Sequence, residues 1–244
     1  LISRGVNSDI EAKRFFEPSL EDIHDPFLMT GMDAAVDRIV RAIKNKELIW
    51  IHGDYDVDGT ASTSMILQFI REVGGKAEYY IPDRFHEGYG LSIKSVDTAI
   101  SRGASLLITV DVGITSYEPL VHAKKIGLDA IICDHHEPGD EIPPALAILD
   151  PLKPNDPYPF KYLAASGVVF KLIQALSESM NIREKAYEYL DYVAIASAAD
   201  MVPLIGENRI LSRFGLKLLN DNPRPGFKGL IYCTQLKPGS INSS

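Results

Sequence analysis

The stretch IWIHGDYDVDGT (49–60) joins an apolar run to three aspartates at alternate positions, Asp54, Asp56 and Asp58. Carboxylates this close together repel each other and raise one another's pKa unless a cation holds them. The stretch is therefore either a solvated acidic loop or part of a metal site, and the rest of the chain has to decide between the two.

The composition is that of a globular protein. The chain has 244 residues, of which 45% are hydrophobic and 24% charged, enough for one large or two small domains with a core. No apolar run approaches the roughly 18 residues that span a bilayer, and no basic-then-apolar leader opens the chain. We therefore expect no membrane partner and no secretory signal. Cys133 and Cys233 form no CxxC pair, which favours a reducing cytoplasm.

The net charge of −8 bears on the choice of partner. A nucleic-acid binder usually carries a basic face, so this acidity counts against DNA or RNA. Two divalent ions would cancel about four of these charges at the place where a phosphate binds. The objection weakens if the acidic residues converge on cations.

Strands and helices alternate outward from residues 49–60. Apolar runs predict strands at 47–51, 77–82, 105–111, 129–134 and 145–150. Helical spacing predicts helices at 31–46, 60–75, 92–103 and 116–127. Because the strands are continuous apolar runs, we predict an α/β fold, a mostly parallel sheet with helices on both faces, followed by an α-helical extension.

Three segments are predicted along the chain. Residues 1–30 form an irregular N-terminal arm, and residues 31–160 form the α/β domain, which ends in the proline-rich PLKPNDPYPF. Residues 161–244 form the helical extension, with helical patterns at 162–178, 183–200 and 208–220. The last segment ends in a linker toward a further domain.

Acidic and imidazole residues follow three of the predicted strands. They are Asp54, Asp56 and Asp58 after 47–51, Asp111 at the end of 105–111, and Asp134, His135 and His136 at the end of 129–134. Ligands bind at the carboxyl ends of the strands in open parallel sheets, so these groups are expected to meet at one edge. Asp200 ends an apolar helix and is expected to reach the same edge.

This set of ligands indicates which ions would bind. Carboxylates with one or two imidazoles suit Mn²⁺, Mg²⁺ or Fe²⁺ better than a cysteine-based zinc site does. The ligands outnumber what one ion uses, which favours a pair of ions about 3.5–4 Å apart that clamps the oxygens of a phosphoryl displacement. The acid that bridges them is expected on a central strand, and Asp111 fits that position.

Other interpretations of the same residues compete with the metal site. DYDVDG resembles the start of a calcium EF-hand loop, but Met65 stands where that loop needs Glu, and a strand precedes it. DVDGT (56–60) also resembles the opening of haloacid-dehalogenase-type phosphatases, with Asp56 as the nucleophile. That interpretation leaves IICDHH unexplained. A non-catalytic scaffold or binding domain of the same fold would be expected to lose metal ligands.

HGDYDVDGT, ITVDVG, CDHHEP and ADMVPL resemble, in this order, the four motifs of the DHH phosphoesterase superfamily. FEPSLEDIHDPFLM, IPDRFHEGYGLS and YPFKYLAASGVVFKL are similar in particular to its bacterial single-strand-specific exonucleases. The resemblance implies a hydrolase of DNA repair and recombination that degrades single-stranded DNA from 5′ to 3′. It also implies two divalent cations, with Mn²⁺ expected ahead of Mg²⁺, and a single-strand-binding protein and a helicase as candidate partners.

The resemblance also implies roles for individual residues. One ion would be held by Asp56, Asp111 and His52, and the other by Asp58, Asp111, His135 and Asp200. His136 would contact the scissile phosphate, and Asp134 would orient His135. Asp54 is extra to the family pattern, with either a supporting role or ligation in some states.

Two further places are expected to bind substrate phosphate. Arg84 follows a strand end, with a surface ion pair as the alternative role. Ser166 and Gly167 open a helix, whose N-terminus attracts anions, with a plain helix cap as the alternative. The related exonucleases continue into a domain with a G-G-H motif, which this sequence lacks. The chain is therefore interpreted as an N-terminal catalytic fragment.

Overall fold

A five-stranded sheet forms the centre of the computed structural model, which describes residues 7–237 and 239–242. Its strands are β1 (Leu48–Gly53), β2 (Lys76–Tyr80), β3 (Ala104–Val110), β4 (Asp129–Cys133) and β5 (Ala147–Leu149). They lie in the order β2-β1-β3-β4-β5, and every neighbouring pair is parallel. The predicted parallel α/β fold is confirmed, and the sheet collects the carboxyl ends of β1, β3 and β4 side by side.

Helices cover both faces of this sheet. In chain order they are α1 (Asp9–Phe16), α2 (Met32–Lys44), α3 (Val57–Glu72), α4 (Ile93–Ser101) and α5 (Tyr117–Lys125). Ile51 of β1 belongs to a hydrophobic cluster with residues of α2 and α3, and Trp50 belongs to a second cluster with residues of α4 and α5. Successive side chains of a strand point to opposite faces, so a strand buried on both faces reads as a continuous apolar run.

The helical extension packs into the same core as the sheet. It consists of α6 (Ala165–Ser179), α7 (Leu190–Ala199), α8 (Gly206–Asp221) and α9 (Pro225–Cys233). The cluster that contains Ile51 also contains Phe170 of α6, Val193 of α7 and Leu211 of α8. The α/β part and the helical extension therefore share one hydrophobic core. The predicted boundary between residues 160 and 161 stays a prediction.

The structure differs from the sequence prediction at the arm and in the extension. The arm, whose first six residues lie outside the described part, contains α1 rather than only irregular chain. Arg209 of α8 holds it, since Nε donates to Phe15 O at 2.7 Å and the guanidinium lies 3.6 Å from the Phe15 ring centre. The helix predicted over 183–200 begins as a 3₁₀ segment, Arg183–Tyr189, before α7. Both features depend on tertiary contacts that a local pattern does not contain.

Candidate metal centre at the carboxyl edge of the sheet

The acidic and imidazole side chains that follow β1, β3 and β4 meet at the carboxyl edge of the sheet. Within the described residues, three groups each bring one ligand atom per residue within 4.8 Å of one another. The groups are Asp54–Asp56–Asp111, Asp111–His135–His136 and Asp58–His135–Asp200. Because Asp111 and His135 each belong to two groups, all three form one continuous cluster.

Asp111 lies at the centre of the cluster in an unusual backbone conformation. It directly follows β3, is 2% exposed, and has a φ of 61°. This left-handed conformation costs an L-residue roughly 1–2 kcal/mol, and Asp and Asn adopt it more readily than most other residues. The Asp111 N–H donates to Cys133 O at 3.0 Å, so the turn stays attached to β4. The strand thus ends in a strained turn that carries a buried carboxylate at the edge of the sheet.

His135 brings three carboxylates together. Its Nε2 lies 3.3 Å from Asp111 Oδ1 and 3.9 Å from one oxygen of Asp58 and of Asp200. Burial lowers the pKa of His135, but its contact with Asp111 and the nearby carboxylate charges raise it to about 9. Burial and the charges of Asp58 and Asp56 raise the pKa of Asp111 to about 8. The carboxylates of the cluster therefore favour a positive charge next to them.

Asp58 is held by the N-terminus of a distant helix. Its Oδ2 accepts from Ala165 N at 2.7 Å and its Oδ1 from Ser166 N at 2.9 Å, in the first turn of α6. A carboxylate is stabilised there by the free N–H groups and the helix dipole. The chain's own carboxylate thus takes the place that we predicted for a substrate phosphate at Ser166 and Gly167. Gly167 packs against Leu163, and a Cβ there would lie only 3.0 Å from Leu163 Cδ2.

Asp54 and Asp56 complete the cluster from the turn between β1 and α3. Asp56 caps α3, its Oδ1 accepting from Gly59 N at 2.8 Å. Asp54 is buried, its Oδ1 has no hydrogen-bond partner among the described residues, and burial raises its pKa. Gly59 allows this close approach, because a Cβ there would lie 2.7 Å from Asp54 Cβ. A buried carboxylate oxygen that has no hydrogen-bond partner is consistent with a site that binds a cation.

His52 lies apart from the cluster, although its Nδ1 is buried without a hydrogen-bond partner among the described residues, so its role as a ligand stays a prediction. It belongs to none of the three groups found within the described residues. Its side chain lies on the same face of β1 as Trp50, its ring stacks on Tyr80, and Nε2 lies 3.4 Å from Gly90 O. Burial lowers the pKa of His52 to about 4. As a strand residue it points to the face covered by α4 and α5, whereas Asp54, beyond the strand, reaches the cluster.

Asp134 orients the other histidine of the pair. Its Oδ1 lies 2.7 Å from His136 Nδ1, and its carboxylate accepts from the backbone N–H of His135 and of Ile114. Although burial raises it, these hydrogen bonds bring the pKa of Asp134 below its usual range, and the contact with Asp134 raises the pKa of His136. The prediction that Asp134 orients the ring of His135 is corrected. His136 presents Nε2 outward because Nδ1 is engaged.

The predicted substrate residue Arg84 lies next to Tyr55, in the turn that carries Asp54 and Asp56. It is exposed, and its guanidinium lies 5.3 Å from the ring centre of Tyr55. Next to His136 a cleft of about 820 Å³ opens between Tyr89 and the start of α5 at Tyr117. The cleft thus gives access to the cluster from the side of His136.

Two acidic residues at strand ends were given no fixed role from the sequence, and of these only Asp54 belongs to one of the three groups. Asp54 was given no fixed role, although it follows the same strand as Asp56. Asp150 was not considered, yet it directly follows β5, is fully buried, and burial raises its pKa to about 7. The available signal was an acid at the end of an apolar run, which also identified Asp111.

The comparisons with known proteins agree with this geometry. The chain matches the DHH family, N-terminal domain, over residues 48–197. Over its whole length it is 46% identical to the single-stranded-DNA-specific exonuclease RecJ of Bacillus subtilis (strain 168), and it spans 30% of that relative's length. The match therefore concerns less than a third of that protein.

Two solved structures share the fold. One is a crystal structure of exonuclease RecJ bound to manganese, with a TM-score of 0.79 and 31% identity over 86% of this chain and 53% of that one. The other is RecJ in complex with Mn²⁺ from Thermus thermophilus, with a TM-score of 0.80 and 28% identity over 97% of this chain and 33% of that one. From the match over residues 48–197 and these similarities, the chain belongs to the DHH family.

Proposed function

We propose that this chain is the catalytic part of a metal-dependent exonuclease that hydrolyses phosphodiester bonds of single-stranded DNA. The observation that carries the proposal is the convergence of carboxylates around Asp111 and His135 at the edge of the sheet. The name of the Bacillus subtilis relative, a single-stranded-DNA-specific exonuclease, supports the choice of substrate. Cleavage from the 5′ end rests on the family resemblance.

We propose two divalent cations, Mn²⁺ ahead of Mg²⁺, at this cluster. Asp54, Asp56 and Asp111 would hold one ion, and Asp58, His135 and Asp200 the other, with Asp111 between them. Two observations support cation binding here. Asp54 Oδ1 has no hydrogen-bond partner among the described residues, and the pKa of Asp111 is raised. When bound, such a pair supplies an activated water and neutralises phosphate charge.

The chain's own residues then orient the substrate. Asp134 fixes the ring of His136, so that Nε2 can donate to an oxygen of the scissile phosphate. Arg84, exposed beside Tyr55, offers a guanidinium to a neighbouring phosphate of the strand. These positive groups and the two cations offset the net charge of −8 where the DNA backbone would bind.

The partners and the location beyond the DNA are further parts of the proposal. A single-strand-binding protein and a helicase remain candidate partners from the resemblance. A cytoplasmic location rests on the two cysteines, which are both free. Among the described residues, no helix combines the length and the apolar character that crossing a membrane requires.

A pair of variants tests the proposal. Asp111→Asn keeps the size of the side chain and a residue type that tolerates the left-handed backbone, but removes the central charge. We expect it to lose Mn²⁺-dependent release of nucleotides from single-stranded DNA while its melting temperature without metal is maintained. Asp150→Asn is the matched control, because Asp150 is equally buried, follows the edge strand β5 and lies outside the three groups.

Full hydrolysis by Asp111→Asn would overturn the proposal. The haloacid-dehalogenase-type alternative predicts a phosphate covalently attached to Asp56 during turnover, which mass spectrometry of trapped protein would detect. The scaffold alternative predicts no uptake of Mn²⁺ in a calorimetric titration. Neither alternative is favoured by the family match.

A further inference from the structure

The start of α8 is attached to the chain that leads into α6. Three consecutive residues make the attachment, each to a different aromatic residue of the segment 158–162. Glu207 accepts from Tyr158 OH, Gly206 lies against the Phe160 ring, and Asn208 donates to Tyr162 O. A Cβ at Gly206 would lie 2.7 Å from Phe160 Cε2, so the approach needs glycine. The two segments are therefore held in fixed register.

Asn208 differs from its two neighbours because its side chain joins two backbone segments. It is fully buried, and its Nδ2 donates both to Tyr162 O and to Pro203 O, the latter at 3.1 Å. Tyr162 comes three residues before Ala165, whose N–H binds Asp58. Pro203 comes three residues after Asp200. One buried amide thus connects the two short segments that determine where these carboxylates lie.

We propose that Asn208 is a positioning residue that sets the affinity of the Asp58–His135–Asp200 site for its cation. The inference rests on the proposed function, since it assumes that this site holds a metal ion. Asp58 and Asp200 come from distant parts of the chain and must both lie within reach of one ion. Residues that orient metal ligands typically change metal affinity by 10–100-fold when they are replaced.

Another residue of the same turn joins α8 to other parts of the fold. Glu207 accepts from Lys171 Nζ at 2.7 Å and from His24 N at 2.9 Å, besides its bond to Tyr158, and both charged side chains are buried. The ion pair joins α8 to α6, and the His24 N–H joins α8 to the arm. Replacing Asn208 therefore addresses the position of the carboxylates more than the docking of α8.

The test measures Mn²⁺ binding to the full chain by calorimetry and by electron paramagnetic resonance. Wild type is expected to bind two ions and give the spectrum of a coupled pair. Asn208→Ala is expected to bind one ion as wild type does and the other at least tenfold more weakly, with a single-ion spectrum at limiting Mn²⁺. Asn208→Leu fills the same space but also lacks the donor to Tyr162 O and Pro203 O, and gives the same result if the alanine variant folds poorly.

Asn220→Ala is the matched control on the same helix. Asn220 also donates to two carbonyls, Leu216 O and Ile241 O, both at 2.8 Å, but on a side of the molecule unrelated to the cluster. It should bind both ions like wild type. Two ions bound with wild-type affinity by Asn208→Leu would overturn this inference alone. A wild-type chain that binds fewer than two ions would overturn the proposed metal pair and this inference with it.

Discussion

His135 Nε2 lies 3.3 Å from Asp111 Oδ1, which joins the ends of two neighbouring strands in one ionisable pair. The pKa of His135 is raised to about 9 and that of Asp111 to about 8, so both groups bind protons more tightly than usual. Because the two groups interact, their shifts belong to the pair and do not add. A cation that binds to this pair therefore competes with protons.

The first prediction follows from the sign of these shifts. Both groups bind protons more tightly in the folded chain than in the unfolded chain, so their contribution to stability is present at low pH and is lost as pH rises. For His135 the loss falls between its unfolded value of 6.5 and about 9. We expect the melting temperature of the chelator-treated chain to fall between pH 6.5 and 9. A melting temperature that rises over this range would contradict the assignment.

The pH dependence of Mn²⁺ binding tests the same pKa shifts. Metal ligands must lose their protons, so binding should tighten from pH 6.5 to 9 and release on the order of one proton per chain. Calorimetry in buffers of different ionisation enthalpy measures that release. The Asp111→Asn variant, which lacks one of the two interacting groups, is the control and should show a smaller release.

The second prediction distinguishes Asp54 from His52 as a ligand. Asp54→Asn should weaken the ion at the Asp54–Asp56–Asp111 group by at least tenfold, because it removes a charge whose Oδ1 has no other partner among the described residues. His52→Gln should leave the number of bound Mn²⁺ ions unchanged, since His52 belongs to none of the three groups found within the described residues. Calorimetric titration of both variants decides, and the opposite pattern would support the predicted role of His52.

The third prediction concerns Gly59. Alanine is favoured over glycine in a helix by about 1 kcal/mol, so helix propensity alone would make Gly59→Ala stabilising. The added Cβ, however, would lie 2.7 Å from the Cβ and carbonyl oxygen of Asp54. Such overpacking costs about 1–3 kcal/mol, and we expect it to outweigh the gain and to displace Asp54.

Thermal melting and Mn²⁺ titration of Gly59→Ala should therefore both show a loss. Gly229→Ala supplies the comparison, because Gly229 lies within α9 and no heavy atom approaches its added Cβ within 4 Å. That variant should be neutral or slightly more stable, and unchanged in Mn²⁺ binding. Equal melting temperatures for the two variants would show that the turn adapts.

The fourth prediction separates His136 from the metal ligands. His136→Gln should lower nucleotide release about 10²–10⁴-fold, the range expected when a positioned proton donor is removed. It should still bind two Mn²⁺ ions, because Asp134 engages Nδ1 and the second site rests on His135. Activity assays and metal titration on the same preparation give both values. If this variant bound only one Mn²⁺ ion, His136 would have to be assigned as a metal ligand.

The sequence predicted the sheet and most of the site because both depend on local pattern. Apolar runs that each end in an acid identified β1, β3 and β4, and parallel topology then brought Asp58, Asp111 and His135 to one edge. It could not predict which way His52 points or what the start of α6 binds. The direction of the His52 side chain depends on the residue at which β1 ends, because side chains alternate between the two faces of a strand. The partner of α6 depends on a contact between Asp58 and Ser166, which are far apart in the sequence.

The docking of Asp58 onto α6 has a consequence for the order in which the protein is made. Chains grow from the N-terminus, so Asp54, Asp56 and Asp111 leave the ribosome well before the amides of Ala165 and Ser166 or the carboxylate of Asp200. When β5 has been translated, the amides that bind Asp58 and the carboxylate of Asp200 have yet to be made. The proposed metal centre would thus be completed only late in synthesis, after the helices beyond the proline-rich segment have packed onto the sheet.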